Sequence, residues 1–205
     1  MTQKTVVPVV YLVDDEDSVR DALGFLLASR GLTVRSFDSG PALLAALDAE
    51  AAPVRGVFLL DMRMEPMSGS RVHDELIARG LGNPVLFLTG HGDIPMAVEA
   101  LKRGAFDFLE KPYGDNSLAD RLEQALAVEA ARYAEDAQAA ESRARLDSLT
   151  EREREVMQRV VAGKLNKVIA DELHISMRTV EVHRARVFSK LGVRSAAELA
   201  TLLAR

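Results

Sequence analysis

The chain has 205 residues, 48% hydrophobic and 28% charged, with a formal net charge of −5 and no cysteine. That balance is ordinary for a globular protein, and the missing cysteine excludes disulfides, thiolate metal sites and cysteine nucleophiles. No apolar stretch approaches the roughly 20 residues that cross a bilayer. The N-terminus runs straight into an apolar strand and then into acid, so no signal peptide is expected and the cytoplasm is the expected location.

The net charge hides an asymmetry. Residues 1–113 carry 11 Lys+Arg and 16 Asp+Glu, residues 114–148 carry 4 and 8, and residues 149–205 carry 11 and 7. An acidic front and a basic tail point to a tail that approaches a polyanion. Chance scatter of surface charge is the alternative.

In chain order, Pro8 opens a first strand, Val9 to Val13, at a position where a missing backbone donor is tolerated. The pattern from Asp17 to Arg30 predicts a helix, with Val19, Leu23, Leu26 and Leu27 on one face and Gly31 closing it. A short strand, Thr33 to Phe37, and a helix, Pro41 to Glu50, follow. Next come a strand, Val57 to Leu60, a loop rich in Met, Pro and Gly, and a helix from about Ser70 to Arg79. The strand Val85 to Leu88, a helix from Ile94 to Arg103 and the strand Phe106 to Leu109 complete the alternation. Short apolar runs separated by helices read as buried parallel strands of a doubly wound α/β domain.

From Asn116 to about Leu146 a stripe of Leu118, Leu122, Ala125, Leu126 and Glu129 dissolves into an alanine- and charge-rich run. This predicts one long helix whose second half is a linker; a disordered linker is the competing reading. From Leu149 onward the pattern is all helical, with breaks near Gly163, His174 and Gly192 and a capping box at Thr150 and Glu153. The expected domains are residues 1–125, a helical linker 126–147 and a helical domain 148–205.

Asp14, Asp15, Asp61, Thr89 and Lys111 each stand just past, or at the end of, a predicted strand. In a parallel sheet those ends meet at a ligand-binding crevice. Three carboxylates, a hydroxyl and an ammonium there suit Mg²⁺ (or Mn²⁺) and a phosphoryl group, because Mg²⁺ takes oxygen ligands and clustered carboxylates repel one another without a cation. Helix capping is the ordinary alternative for Asp14, Asp15 and Asp17, but it leaves Asp61 and Lys111 unexplained. His73 and His91 have no ligand spacing to each other, and neither is expected to bind metal.

The blocks YLVDDED, FLLDMRMEPMSG and LTGHGDIPMAVEALKRGAFDFLEKPY resemble the signatures of two-component response-regulator receiver domains. The last block is closest to the FixJ-like subgroup. The resemblance covers about residues 7–125 and implies a five-stranded parallel sheet of flavodoxin-like order 2-1-3-4-5. It implies Asp61 as the phosphoacceptor of a histidine kinase, with Asp14, Asp15, Asp61 and the Arg63 backbone carbonyl around Mg²⁺. It further implies Thr89 and Lys111 as phosphoryl contacts, Phe108 as the aromatic switch, and a cis peptide before Pro112. One departure is Glu65 where the family commonly has proline, with Pro66 one place later.

In the tail, VIADELHISMRTVEVHRARVFSKLGV reads as helix, tight turn, helix. Val168, Ile169 and Leu173 are expected inside the first helix, Ile175 in the turn, and Val180, Val187 and Leu191 inside the second. Arg178, Glu181, Val182, Ala185, Arg186 and Ser189 then face outward, a helix face suited to a major groove. Periodicity alone equally allows a plain helical bundle. The stretch from LTEREREV to SAAEL resembles a LuxR-type helix-turn-helix domain. By that resemblance the helix from about Met177 is the recognition helix: Glu181, Val182 and Ala185 approach base edges, while Thr179, His183, Arg184 and Lys190 fall at positions for backbone contacts. Glu181 and Ala185 offer little to guanine, so readout is expected to lean on Arg178 or Arg186.

The resulting expectation is a phosphorylation-dependent DNA-binding transcriptional regulator of a two-component system. Its expected partners are a cognate histidine kinase, promoter DNA and, when phosphorylated, a second copy of itself, with no membrane. It is expected not to be an enzyme beyond chemistry at its own Asp61. The alternatives are an aspartyl-nucleophile phosphatase or a protein- or RNA-binding adaptor. Haloacid-dehalogenase-type phosphatases need an Asp two places after the nucleophile, where this chain has Arg63.

Overall fold

A computed structural model describes residues 7–90 and 93–203; His91 lies outside the described residues. The chain forms two compact units, one through Tyr133 and one from Ala134. The first holds β1 (Val9–Val13), α1 (Asp17–Ser29), β2 (Thr33–Phe37), α2 (Gly40–Asp48), β3 (Gly56–Asp61), α3 (Gly69–Ala78), β4 (Val85–Thr89), α4 (Ile94–Lys102) and β5 (Asp107–Glu110). The strands are all parallel in the order β2-β1-β3-β4-β5.

The two-residue period of a strand sends alternate side chains to opposite faces, and both faces are covered. Phe58, Leu60, Val85 and Phe87 join Leu43 and Leu47 of α2, Val72 and Leu76 of α3 and Ala97 of α4. Val57, Leu59, Leu86 and Leu88 join Leu23 and Leu27 of α1 and Leu118, Leu122 and Ala125 of α5 (Asp115–Asp147). This is why β3 and β4 read as unbroken apolar runs.

α5 keeps its hold on the sheet beyond residue 125. Glu129, 2% exposed, accepts from Arg55 Nε at 2.5 Å and Nη2 at 3.1 Å, and from Gly56 N–H at 3.3 Å. The Arg55 guanidinium lies 3.5 Å from the Tyr133 ring centroid. A buried carboxylate needs that fork of donors. Gly56 has φ +124° and lies so close to Val9 that a side chain would strike its backbone, so only glycine fits at the foot of β3. The Lys111–Pro112 peptide is cis, as is Glu65–Pro66.

The second unit packs the end of α5 with α6 (Glu151–Val161), α7 (Asn166–Leu173), α8 (Met177–Leu191) and α9 (Ala196–Leu203). Its core includes Leu149, Val156, Ile169, Leu173, Val180, Val187, Leu191 and Leu199, with Ile175 against it. Thr150 and Glu153 form the capping box that opens α6. His174 ends α7 at φ 53°, and Ser176 caps α8 by accepting from Thr179 N–H at 3.1 Å. Val168 departs from expectation: it is 42% exposed, and Ala170 takes the buried place. Three consecutive apolar residues cannot share one helix face, because each step turns the chain by about 100°. Among the described residues no helix is long and apolar enough to cross a membrane.

Candidate functional site

The carboxyl ends of four strands deliver Asp14, Asp61, Thr89 and Lys111 to one edge of the sheet. Asp14 is 1% exposed and Asp61 7%. The Lys111 ammonium donates to Asp61 Oδ1 at 2.6 Å and to Asp14 Oδ2 at 3.4 Å. Two nearly buried carboxylates therefore share one cation, without which they would repel each other in poorly screening surroundings. Arg63 N–H donates to Asp61 Oδ2 and Glu16 N–H to Asp14 Oδ1, each at 2.9 Å. Arg20 of α1 donates to the Asp14 backbone carbonyl at 2.7 Å.

The sharing is lopsided. Burial pushes the Asp61 carboxyl above its usual pKa; the Lys111 hydrogen bond opposes this, and the Asp14 charge adds to it. For Lys111, burial pulls downward, but Asp61 and Asp14 overcome it and hold the ammonium's pKa above its usual value. At Asp61 burial thus works against the pairing with Lys111, a common situation for a reacting carboxylate.

Asp15 does not join a three-carboxylate group. It is exposed, and its Oδ2 accepts from Glu65 N–H at 3.4 Å. Neighbouring side chains leave an extended backbone on opposite sides, so with Asp14 turned inward Asp15 faces solvent. Among the described residues no three His, Asp or Glu side chains form a ready cation site. Thr89 is fully buried and its hydroxyl donates to Leu109 O at 3.3 Å. Phe108 on β5 is half-buried against the sheet core. Gly69 opens α3 so close under Asp61 that a side chain would strike the Asp61 carbonyl.

One residue at this edge was not expected. Asp93, 1% exposed, accepts from the Arg63 side chain, Nε to Oδ1 at 2.5 Å. In sequence it stands just before Ile94-Pro95 and reads as an ordinary helix cap; nothing local signals a partner thirty positions away.

In the second unit α8 presents Arg178, Glu181, Val182, Ala185, Arg186 and Ser189 to solvent. Thr179 belongs to the cap, its Oγ1 lying 2.8 Å from Ser176 Oγ, and His183 is half-buried. Two cations expected at positions for DNA-backbone contacts also make bonds within the unit. Arg184 Nη1 donates to Asn166 Oδ1 at 3.0 Å, and its guanidinium lies 5.3 Å from the Phe188 ring centroid. Lys190 Nζ donates to Glu153 Oε2 at 2.7 Å and to Ser148 O at 2.9 Å. Lys190 is the first cause of the lowered Glu153 pKa, aided by the Thr150 N–H. Lys190 therefore fastens the end of α8 to the capping box of α6.

Residues 10–123 match the response regulator receiver domain family, and residues 147–203 match the bacterial regulatory proteins of the luxR family. The C4-dicarboxylate transport transcriptional regulatory protein DctR of Rhodobacter capsulatus is 52% identical over 94% of this chain and 98% of its own. The transcriptional regulatory protein FixJ of Rhizobium meliloti is 46% identical over 91% of this chain and 90% of its own. The structure of the response regulator StyR superposes with a TM-score of 0.89 at 41% identity, covering 97% of this chain and 99% of that one. With both units matched and the lysine-bridged aspartates at the sheet edge, the chain belongs to the response regulators, with a receiver domain joined to a LuxR-type DNA-binding domain.

Proposed function

We propose that Asp61 accepts a phosphoryl group from a histidine kinase in the cytoplasm, and that this event controls the binding of promoter DNA by α8. The observation that carries the reading is the Lys111 ammonium placed between Asp61 and Asp14. Asp61 is the nucleophile, and Lys111 is the point charge that can follow the new charge onto a phosphoryl oxygen. Thr89 would exchange Leu109 O for another phosphoryl oxygen, with Phe108 moving beside it. The carboxylates of Asp14 and Asp61 and the Arg63 carbonyl are hard oxygen donors of the kind Mg²⁺ or Mn²⁺ takes and would hold that ion, with Asp15 joining them once its carboxylate turns from the Glu65 N–H. When bound, the ion neutralises phosphate charge during transfer.

Residues 1–125 receive the signal, 126–147 link, and 148–205 bind DNA. α4 leaves Met96 and Val98 about two-fifths exposed, which supports self-association of the phosphorylated receiver through that helix. Two copies on one duplex make the second DNA contact intramolecular. Glu181, Val182 and Ala185 face base edges in this reading, flanked by Arg178 and Arg186. Thr179, His183, Arg184 and Lys190 line the backbone side, the last two from positions fixed by internal bonds.

Incubation with a small acyl-phosphate donor and Mg²⁺ should label wild type and leave Asp61→Asn blank. Stable label on Asp61→Asn, or labelling that survives chelator, would sink the assignment.

The raised Asp61 pKa also has a stability consequence. A group that binds protons more tightly folded than unfolded stabilises the fold at low pH and loses that contribution as pH rises through its folded value. Asp61→Asn removes the ionisation, so in chelator at pH 7 it should melt above wild type, and the gap should close as pH falls through the carboxylate range. A variant melting below wild type at pH 7 would contradict the electrostatics.

On DNA, Arg184→Ala should weaken binding to every sequence and flatten the salt slope by about one unit. Arg178→Ala or Arg186→Ala should instead change preference among sequences, by about 1–3 kcal/mol per lost base contact. Uniform losses for all three on all duplexes would place the groove-facing surface elsewhere.

A further inference from the structure

Asp93 holds the N-cap position of α4 and does not cap it. Its side chain makes no capping hydrogen bond, and its backbone sits at φ −91°, ψ −2°, away from the extended conformation usual for that position. Its carboxylate is turned instead to Arg63 Nε at 2.5 Å and to Gly90 N–H at 3.1 Å. Arg63 in turn is tied to the phosphoacceptor edge, its own N–H donating to Asp61 Oδ2 at 2.9 Å. Gly90 follows Thr89 directly, and the Asp93 N–H donates back to Gly90 O at 3.1 Å. One arginine thus spans from the loop after β3 to the start of α4. Its own side chain is 71% exposed, while the carboxylate it holds is 1% exposed.

We propose that the Arg63 guanidinium is a positioning residue that passes the state of Asp61 to α4. With Asp61 unmodified, Arg63 holds Asp93 off the helix end. With Asp61 phosphorylated, Arg63 turns to the phosphoryl oxygens and Asp93 swings to cap α4. The proposal rests on Asp61 being the phosphoacceptor.

Guanidinium pairs with phosphate through two parallel hydrogen bonds and a larger charge, so a phosphoryl group two residues away competes effectively with the single Nε contact to Asp93. A buried carboxylate cannot be left bare. At the helix N-terminus it finds amide donors and the positive end of the helix dipole. Pro95 has no N–H, which leaves Met96 N–H as the amide in capping reach. Asp93 therefore has two satisfied arrangements with costly ones between, as a switch requires. The exchange also releases the Gly90 N–H, next to Thr89, whose hydroxyl must leave Leu109 O if it is to meet the same phosphoryl group.

The test is hydrogen exchange at the Met96 amide in the full chain. In unphosphorylated Arg63→Ala the freed Asp93 should slow that amide about fivefold relative to wild type, the worth of one cap. The Arg63→Ala, Asp93→Ala double variant should lose the slowing. Wild type treated with acyl phosphate and Mg²⁺ should slow by a similar factor. A merely structural Arg63 would loosen α4 on removal, so unchanged or faster exchange in Arg63→Ala overturns the proposal, as does slowing that persists in the double variant. Label retained on Asp61→Asn would defeat the phosphoacceptor reading instead, and the exchange of unmodified Arg63→Ala would still decide the latch.

Discussion

Two carboxylates nearly out of water at one end of a parallel sheet form the constraint on which the receiver unit depends. Asp14 and Asp61 stand on neighbouring strands, and one ammonium, from Lys111, reaches both. Remove that cation and two like charges face each other in a medium of low effective dielectric. Keep it, and Asp61 still lies above its usual pKa because burial outweighs the pairing. Burial and pairing are thus opposed at Asp61, and a change of charge there would bear directly on Lys111 and the Arg63 N–H.

The surrounding fold makes that edge stiff. Apolar side chains cover both faces of the sheet, so the strand ends cannot drift to relieve repulsion. At the opposite end of β3, Glu129 of α5 gathers Arg55 and the Gly56 N–H. The polar bonds at that edge are made by side chains: Lys111 between two carboxylates, Thr89 at Leu109 O, and Arg63 at Asp93. The second unit is pinned in a comparable way, with Lys190 fastening α8 to Glu153 so that its outward face is presented in a fixed orientation.

Most of the fold was legible in the sequence because buried parallel strands are short unbroken apolar runs and the helices between them carry clear caps and stops. Val9–Val13 and Thr33–Phe37 match their expected bounds; β4 runs one residue further at its end, and β3 and β5 differ by one residue at both ends. The long helix runs to Asp147 without a breaker. What the sequence did not show has one physical source, which is that local pattern carries no information about distant partners. Val168 sits beside buried Ile169, and only packing decides which of them turns outward. Asp15 follows Asp14, and only the direction of the loop after β3 decides that it meets Glu65 N–H. Arg184 and Lys190 find Asn166 and Glu153 beside them only once the helices of the second unit pack. The tie of Asp93 to Arg63 emerges only from the sheet order that sets β3 beside β4.

The proposed control exerted by charge at Asp61 acts on DNA binding by a separate unit of the chain. It is tested most directly by the affinity of the full-length protein for a duplex selected from a random pool by the phosphorylated form. Binding is measured by fluorescence anisotropy with and without acyl phosphate, in wild type and in Asp61→Asn. Phosphorylation of wild type should tighten binding at least about tenfold, from the avidity of the proposed receiver pair, and Asp61→Asn should show no tightening. Equal tightening in both proteins, or none in a wild type shown to be phosphorylated, would contradict it.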